Sequence, residues 1–437
     1  MDQQGRAGVR VKGPDRTQVV MRMECDDQLI PQKHQARVIW DVLGKLDLSA
    51  FYKPIKARDG VAGREAIDPK LLIALWLYGA TRGVGSAREL ARLCAEGKPY
   101  RWLCGGVGVN HHTLSDFRVG HAEALDELFT RVIAALAGKG LIKVSRISQD
   151  GTRVRACAGA GSFRSEKRLA ELLERAKAHV KELRALLDDP ERSAGLSARR
   201  KAARERAARQ RQERLEQAVS ALPGLKSKQQ EARKRAGNGT YGKKLARNEP
   251  RVSTTDPGAR VMKMGDGGFR PAVNVQLATD VESRAIVGVD VSDRGSDKGL
   301  AEPMRKQVQE RTGQKVREHL MDGGFLVMEE IDRAAESQVT VYAPPPKPRD
   351  PAKDGTQYQP KKTDSPAQAD WRRRMGGEEG KAVYRRRGAT SETVNADLKE
   401  HRGLVQLTVR GLDKAKCVAL WCALAYNLLH FGRVLAS

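Results

Sequence analysis

Three acidic residues, Asp150, Asp322 and Glu392, stand where their carboxylates can share one site. Asp150 sits in residues 142–156, whose β-branched residues and period-two alternation predict a strand that turns at Gly151. The commonest use of Asp-Gly is a turn, and Asp150 taken alone reads that way. Asp322 ends a second predicted strand, residues 318–321, and is followed by two glycines; Glu392 falls on a later helix. If the two strands pair in parallel, the aspartates lie side by side and the helix of Glu392 can cover the same sheet edge. Three carboxylates converging from separate elements repel one another unless cations bind there. A donor set of oxygens without His or Cys suits Mg²⁺ or Mn²⁺ rather than zinc. Two such ions can clamp the attacking and leaving oxygens of a phosphodiester. Among the other acids, Asp280 is expected in a hairpin turn and Asp297 as a helix cap. Glu378 and Glu379, flanked by glycines, make poor rigid ligands.

The elements that must position these acids follow from periodicity. Residues 36–140 read as helical. Asp68-Pro69 is a cap with proline at the first helical position, and Leu71, Leu72, Leu75 and Trp76 share the face that follows. Ser86 and Glu89 form a capping box, and Asn110 caps a short helix from His111 to Arg118. The segments 86–94 and 110–119 suggest a helix-turn-helix whose second helix offers His111, His112, Thr113, Ser115 and Arg118 to DNA. The bland alternative is a helical bundle with polar surface residues.

Residues 163–250 carry 24 Lys/Arg and 12 Asp/Glu, which is +12 of the chain's net +26. They predict a helical hairpin inserted in another domain, broken at Pro190 and again at Pro223. The pattern then becomes strands at 272–279 and 285–291, a helix at 300–312, the strand at 318–321, a helix at 326–336 and a strand at 339–343. Residues 344–369 read as a mobile loop, and 380–400 and 413–435 as the last helices. Residues 1–35 read as a disordered arm, with Met21 and Met23 as alternative starts.

The charge excess argues for a polyanionic partner, nucleic acid first. Aromatics at 5% argue against stacking platforms for single strands. Six cysteines without a C-x-x-C pair argue against zinc ribbons and fit a reduced cytoplasmic protein. No amphipathic lipid-facing helix or apolar signal core is evident, and the apolar run 417–429 is short for a membrane span.

Several stretches, in order, resemble one family. They are Gln149-Asp150-Gly151-Thr-Arg-Val-Arg-Ala156, Ser253-Thr-Thr-Asp256, Phe269-Arg-Pro-Ala-Val-Asn274-Val-Gln276, Leu320-Met-Asp322-Gly-Gly-Phe325, Tyr384-Arg-Arg-Arg387, and Ser391-Glu392 through Lys399-Glu-His-Arg-Gly403. Together with Asn110-His-His-Thr-Leu-Ser-Asp-Phe-Arg118, they are similar to DDE-type insertion-sequence transposases. The resemblance covers residues 36–433, with the basic insertion as its loosest part. It implies an α/β fold: a ribonuclease-H-like mixed sheet with flanking helices (141–162 and 251–437), an all-α N-terminal DNA-binding domain (36–140) and a helical insertion (163–250).

The resemblance also implies that Asp150, Asp322 and Glu392 are the catalytic, metal-binding triad for Mg²⁺ or Mn²⁺, two ions. Tyr384, Arg387, Glu392 and Lys399 match the family's signature helix and imply DNA contacts. Four residues separate Arg387 from Glu392, where the family pattern has three, so Arg385 or Arg386 is an alternative DNA contact. The implied activity is cleavage of double-stranded DNA at the element ends and transfer of the freed 3′-hydroxyl into target DNA. A homodimer in the synaptic complex and a bacterial, cytoplasmic, nucleoid-associated location are implied with it, and no membrane. The alternatives are a ribonuclease-H-like nuclease without strand transfer, and a non-catalytic DNA-binding protein.

Overall fold

The computed structural model describes residues 17, 19, 23–57, 65–237, 239–348 and 350–437. Most of the expected arm, up to residue 22, lies outside the described residues. From 23 onward the chain is not an arm. Ile30 is buried, and Asp27 accepts hydrogen bonds from Arg37 and from the Trp102 indole.

Seven helices open the fold: α1 (Gln35–Lys45), α2 (Ser49–Tyr52), α3 (Pro69–Thr81), α4 (Ala87–Glu96), α5 (Lys98–Cys104), α6 (His111–Gly120) and α7 (Ala122–Gly138). The expected caps are in place. Asp68 accepts from the Lys70 amide, Ser86 from Glu89 and Asn110 from Thr113. α3 is buried on every side, as its unbroken apolar run requires. The link between α4 and α6 is itself a helix, α5, so these two segments are not joined by the short turn of a simple helix-turn-helix.

The chain then lays down β1 (Arg146–Arg155) and β2 (Phe163–Arg164), followed by the insertion: α8 (Glu166–Asp188), α9 (Ala198–Ala236) and α10 (Thr240–Arg247). β3 (Val252–Ser253) pairs antiparallel with β2, which pins the two ends of the insertion side by side. Leu169 and Ala176 of α8 pack on Leu215, Ala218 and Leu222 of α9, the expected hairpin. Pro190 falls in the turn between them, but Pro223 does not break α9. A helix-interior proline removes one backbone hydrogen bond at a cost of about 3 kcal/mol. Here the buried side chains preceding it and the partly buried Leu225 beyond it keep the helix on α8.

The remaining elements are β4 (Arg260–Lys263), β5 (Phe269–Asp280), β6 (Ile286–Ser292), α11 (Ala301–Thr312), β7 (Glu318–Met321), α12 (Met328–Glu336), β8 (Thr340–Tyr342), α13 (Pro366–Gly376), α14 (Glu378–Arg387), a π-helical turn (Gly388–Glu392), α15 (Thr393–Glu400) and α16 (Leu412–Ala436). The sheet runs β4-β5-β1-β7-β8, with β6 on the same edge of β5 as β4. β1 is antiparallel to β5 and parallel to β7, and β7 is parallel to β8. The expected loop at 344–369 is mostly exposed, but it carries short helical turns at Pro351–Lys353 and Thr356–Tyr358, its end is the first turn of α13, and it is anchored at a few points. Gln357 is buried, and the buried Arg372 pairs with Asp364 at 2.6 Å.

α16 is 25 residues long, longer than the apolar run suggested, and by length and composition alone it could cross a membrane. Its apolar surface is used inside the protein instead, against α1, α3, α7 and β6. The core is therefore continuous from Ile30 to Leu435, and the N-terminal helices share it with the sheet.

Candidate active site

β1 does not turn at Gly151. It runs on to Arg155, and Asp150 lies mid-strand opposite Leu277 of β5. The glycine serves close approach, not a turn. A Cβ on Gly151 would stand 2.3 Å from both Asp297 Oδ1 and Gln276 Nε2. Asp297 is not a helix cap. It is buried and accepts from Arg153 at 2.8 Å and from Asn274 and Gln276 at 2.7 Å each. Gln149 extends this network by donating to Gln276 at 2.8 Å. Sequence reasoning missed Asp297, because its partners lie more than a hundred residues away or on another strand.

β7 pairs with β1 in parallel as the chemistry required, with Met321 opposite Gln149. Asp322 and Asp150 are each the next residue along. Asp322 Oδ1 accepts from the Gly324 amide at 2.7 Å, an Asx turn that fixes the carboxylate at the strand end.

Glu392 arrives on the π-helical turn between α14 and α15. An i→i+5 turn absorbs one extra residue. It thereby compensates for the fourth residue between Arg387 and Glu392, and the two side chains meet at 2.8 Å. Ser391, in the same turn, hydrogen-bonds Ser148 of β1. Arg387 also reaches Asp150 at 3.6 Å, and Asn395 donates to the other Asp150 oxygen at 2.9 Å. The buried arginine of the triplet is thus Arg387, whereas Arg385 and Arg386 point outward to Glu378 and Glu282.

Burial pushes the Asp150 carboxyl above its usual range; Arg387 opposes this and Asp322 adds to it. Burial likewise raises the Tyr384 phenol; Arg387 opposes this, and the charges of Asp322, Glu392 and Asp150 add to it. Burial lowers the Lys399 ammonium, which Asp150 partly restores. Tyr384, Arg387, Lys399 and the three acids therefore lie within electrostatic reach of one another.

Among the described residues, no group of three or more His, Cys, Asp or Glu gathers closely enough to hold a metal ion. Glu392 is 63% exposed and paired with Arg387. The remaining donors do suit a hard cation. Asp150 and Asp322 offer oxygens only, and beside them the buried Asn395 Oδ1 has no hydrogen-bond partner.

The α6 candidates separate. His112 is exposed and Thr113 partly so. Arg118 is turned inward, contrary to the expectation that it faces DNA. Its guanidinium donates to the Gly85 carbonyl at 2.6 Å and lies 4.9 Å from the Trp76 ring centre.

Two family models match the chain. One, described as Transposase domain (DUF772), covers residues 24–120; the other, Transposase DDE domain, covers 226–428. No curated protein and no solved structure matches. The second match spans the strands and helices that carry Asp322, Arg387, Glu392 and Lys399, and the first spans α1 to α6. With both parts matched in order along one sequence, the chain belongs to the DDE-type insertion-sequence transposases, enzymes of the polynucleotidyl transferase class.

Proposed function

We propose that this enzyme cuts DNA at the ends of its own mobile element and transfers the freed 3′-hydroxyls into target DNA, with Asp150, Asp322 and Glu392 as the catalytic carboxylates. The observation that carries the reading is the parallel β1–β7 pairing, which sets Asp150 beside Asp322 under the turn that bears Glu392. The strand order supports a ribonuclease-H-like core. Three antiparallel strands, β6-β5-β1, are extended by the parallel pair β7-β8.

DDE transposases are generally divalent-metal dependent. Two Mg²⁺ or Mn²⁺ ions held by Asp150, Asp322 and Glu392 would supply charge neutralisation at the attacking and leaving oxygens of the phosphodiester. The chain's own residues do the positioning. Asn395 fixes the rotamer of Asp150, and Arg387 neutralises the buried carboxylate and holds Glu392. Glu392, held by Arg387 in this structure, would complete the ligand set when metal binds. Tyr384 and Lys399 border the acids and contact the DNA strand. Lys399, two helical turns past Glu392, is placed for a phosphate. His112 and Thr113 on α6 contact the duplex. A homodimer would pair two element ends, and the enzyme would work in the bacterial cytoplasm on the nucleoid.

The test is an assay with Mg²⁺ and duplexes bearing the DNA that flanks the coding region. Cleavage at a fixed end position plus joined products supports transposition. Nicks without joined products favour a nuclease lacking strand transfer. Tight binding without any cleavage, unchanged by Asp150→Asn, favours a non-catalytic DNA-binding protein.

A further inference from the structure

The basic insertion has no part in the site above, yet it forms cavities with the rest of the fold. One, of about 570 Å³, lies between α6, α9 and the loop that leads into α16. Arg214 of α9 and Arg410 of that loop both line it. Arg214 is half-buried, and its Nε is buried without a hydrogen-bond partner. Burial lowers its proton affinity, the like charges of Arg410 and Arg211 act in the same direction, and Glu213 opposes them. The carboxylates lining the cavity, Asp116, Glu213 and Asp413, are all exposed, where solvent screens them.

The loop that carries Arg410 is fixed in place. Buried Asp256 accepts from the amides of Gly411 and Gly258, and the Arg155 amide and carbonyl at the end of β1 pair with Val405 and Leu407. Arg410 is exposed at the cavity mouth, while the buried Nε of Arg214 has no partner there and costs free energy unless an acceptor such as an anion enters.

We propose that Arg214 and Arg410 close on one phosphodiester of the element-end duplex, so that the insertion grips DNA opposite α6. This rests on the reading of the chain as an enzyme that cuts such ends. A second cavity on α9, about 460 Å³, is lined by Lys228, Arg235, Arg260, Arg294 and Lys298, with Glu231 and Asp293 as its carboxylates. It also takes in Gly295, whose carbonyl accepts from Arg153 in the network beside Asp150. Fourteen residues separate Arg214 from Lys228, roughly 21 Å along a helix at 1.5 Å per residue. That equals about six base pairs at roughly 3.4 Å each, so α9 tracks a duplex from the clamp toward the catalytic strand.

The experiment measures binding of the full chain to a duplex carrying the flanking DNA, with phosphate-ethylation interference, for wild type, Arg214→Ala, Arg410→Ala, the double variant and Arg410→Lys. Thermal unfolding of each variant confirms folding. The expected result is one phosphate whose ethylation weakens wild-type binding but not that of the alanine variants. Binding falls about tenfold in each single variant, little further in the double, and the salt slope drops by about 0.9. Arg410→Lys, which keeps a point charge, retains more binding than Arg410→Ala. If wild type cuts the ends and the folded alanine variants bind with an unchanged interference pattern, the clamp is wrong and the function stands. If wild type neither binds nor cuts such ends, the functional reading fails and takes the clamp with it.

Discussion

Arg387 and Glu392 are five residues apart yet meet at 2.8 Å, because a π-helical turn lies between them. In an unbroken α-helix a five-residue step would swing the second side chain about 140° round the axis. The turn's extra residue can therefore be removed without loss. Deleting exposed Ala389 should leave one continuous helix, keep the Arg387 pairing and hold cleavage within about tenfold of wild type. Inserting an alanine after Ala389 should turn Arg387 away by about 100° and lower cleavage on the order of a hundredfold. Single-turnover cleavage of an end-bearing duplex decides between these outcomes; equal loss in both variants would show that the π turn itself is required.

Asp150→Asn should abolish cleavage, by about a thousandfold or more, while duplex affinity stays within about threefold of wild type. The amide keeps an oxygen for Asn395, so the fold is retained. Stability carries a sign that can be checked. The folded state holds the Asp150 proton more tightly than the unfolded chain does, so without added metal the contribution of this group declines as pH rises from the ordinary carboxylate range through the raised value. At neutral pH the asparagine variant should melt at or above the wild-type Tm. A lower Tm would mean that Asp150 is a folding residue.

Mg²⁺ or Mn²⁺ should raise the Tm of wild type, by an amount equivalent to about 2.7 kcal/mol at a hundred times the dissociation constant. Differential scanning calorimetry of Asp322→Asn and Glu392→Gln should show a reduced shift. Chelation should reverse the shift in wild type. A wild-type Tm indifferent to both ions would remove Asp150, Asp322 and Glu392 as ligands.

Gly151→Ala should destabilise the protein by about 1–3 kcal/mol in urea unfolding, since its Cβ would meet the Asp297 network at 2.3 Å. Neighbouring Thr152→Ser, which adds no atom, should cost less. An unperturbed Gly151→Ala would mean that the network yields easily.

The strands that carry Asp150 and Asp322 were legible in the sequence, β1 from its alternation and β7 as a short run ending at Asp322-Gly-Gly; their parallel pairing was a condition the sequence could state, and the structure meets it. The caps at Asp68, Ser86 and Asn110 were legible for the same local reason. What stayed hidden depends on partners distant in sequence. Gly151 looked like a turn because Asp297 is 146 residues away. Arg118 looked like a DNA contact because nothing local shows that Trp76 and Gly85 receive it. Pro223 looked like a break because the packing that carries α9 past it comes from α8.

The place of α16 bears on the order in which the protein can be made. α16 is synthesised long after α1, α3 and α7, and it fills the space between them. Until residues near 435 emerge, those N-terminal helices carry an apolar face with nothing to cover it. A nascent chain therefore cannot finish its N-terminal helical half early, and a product truncated before Leu412 should be an aggregating or chaperone-bound species rather than a free folded fragment.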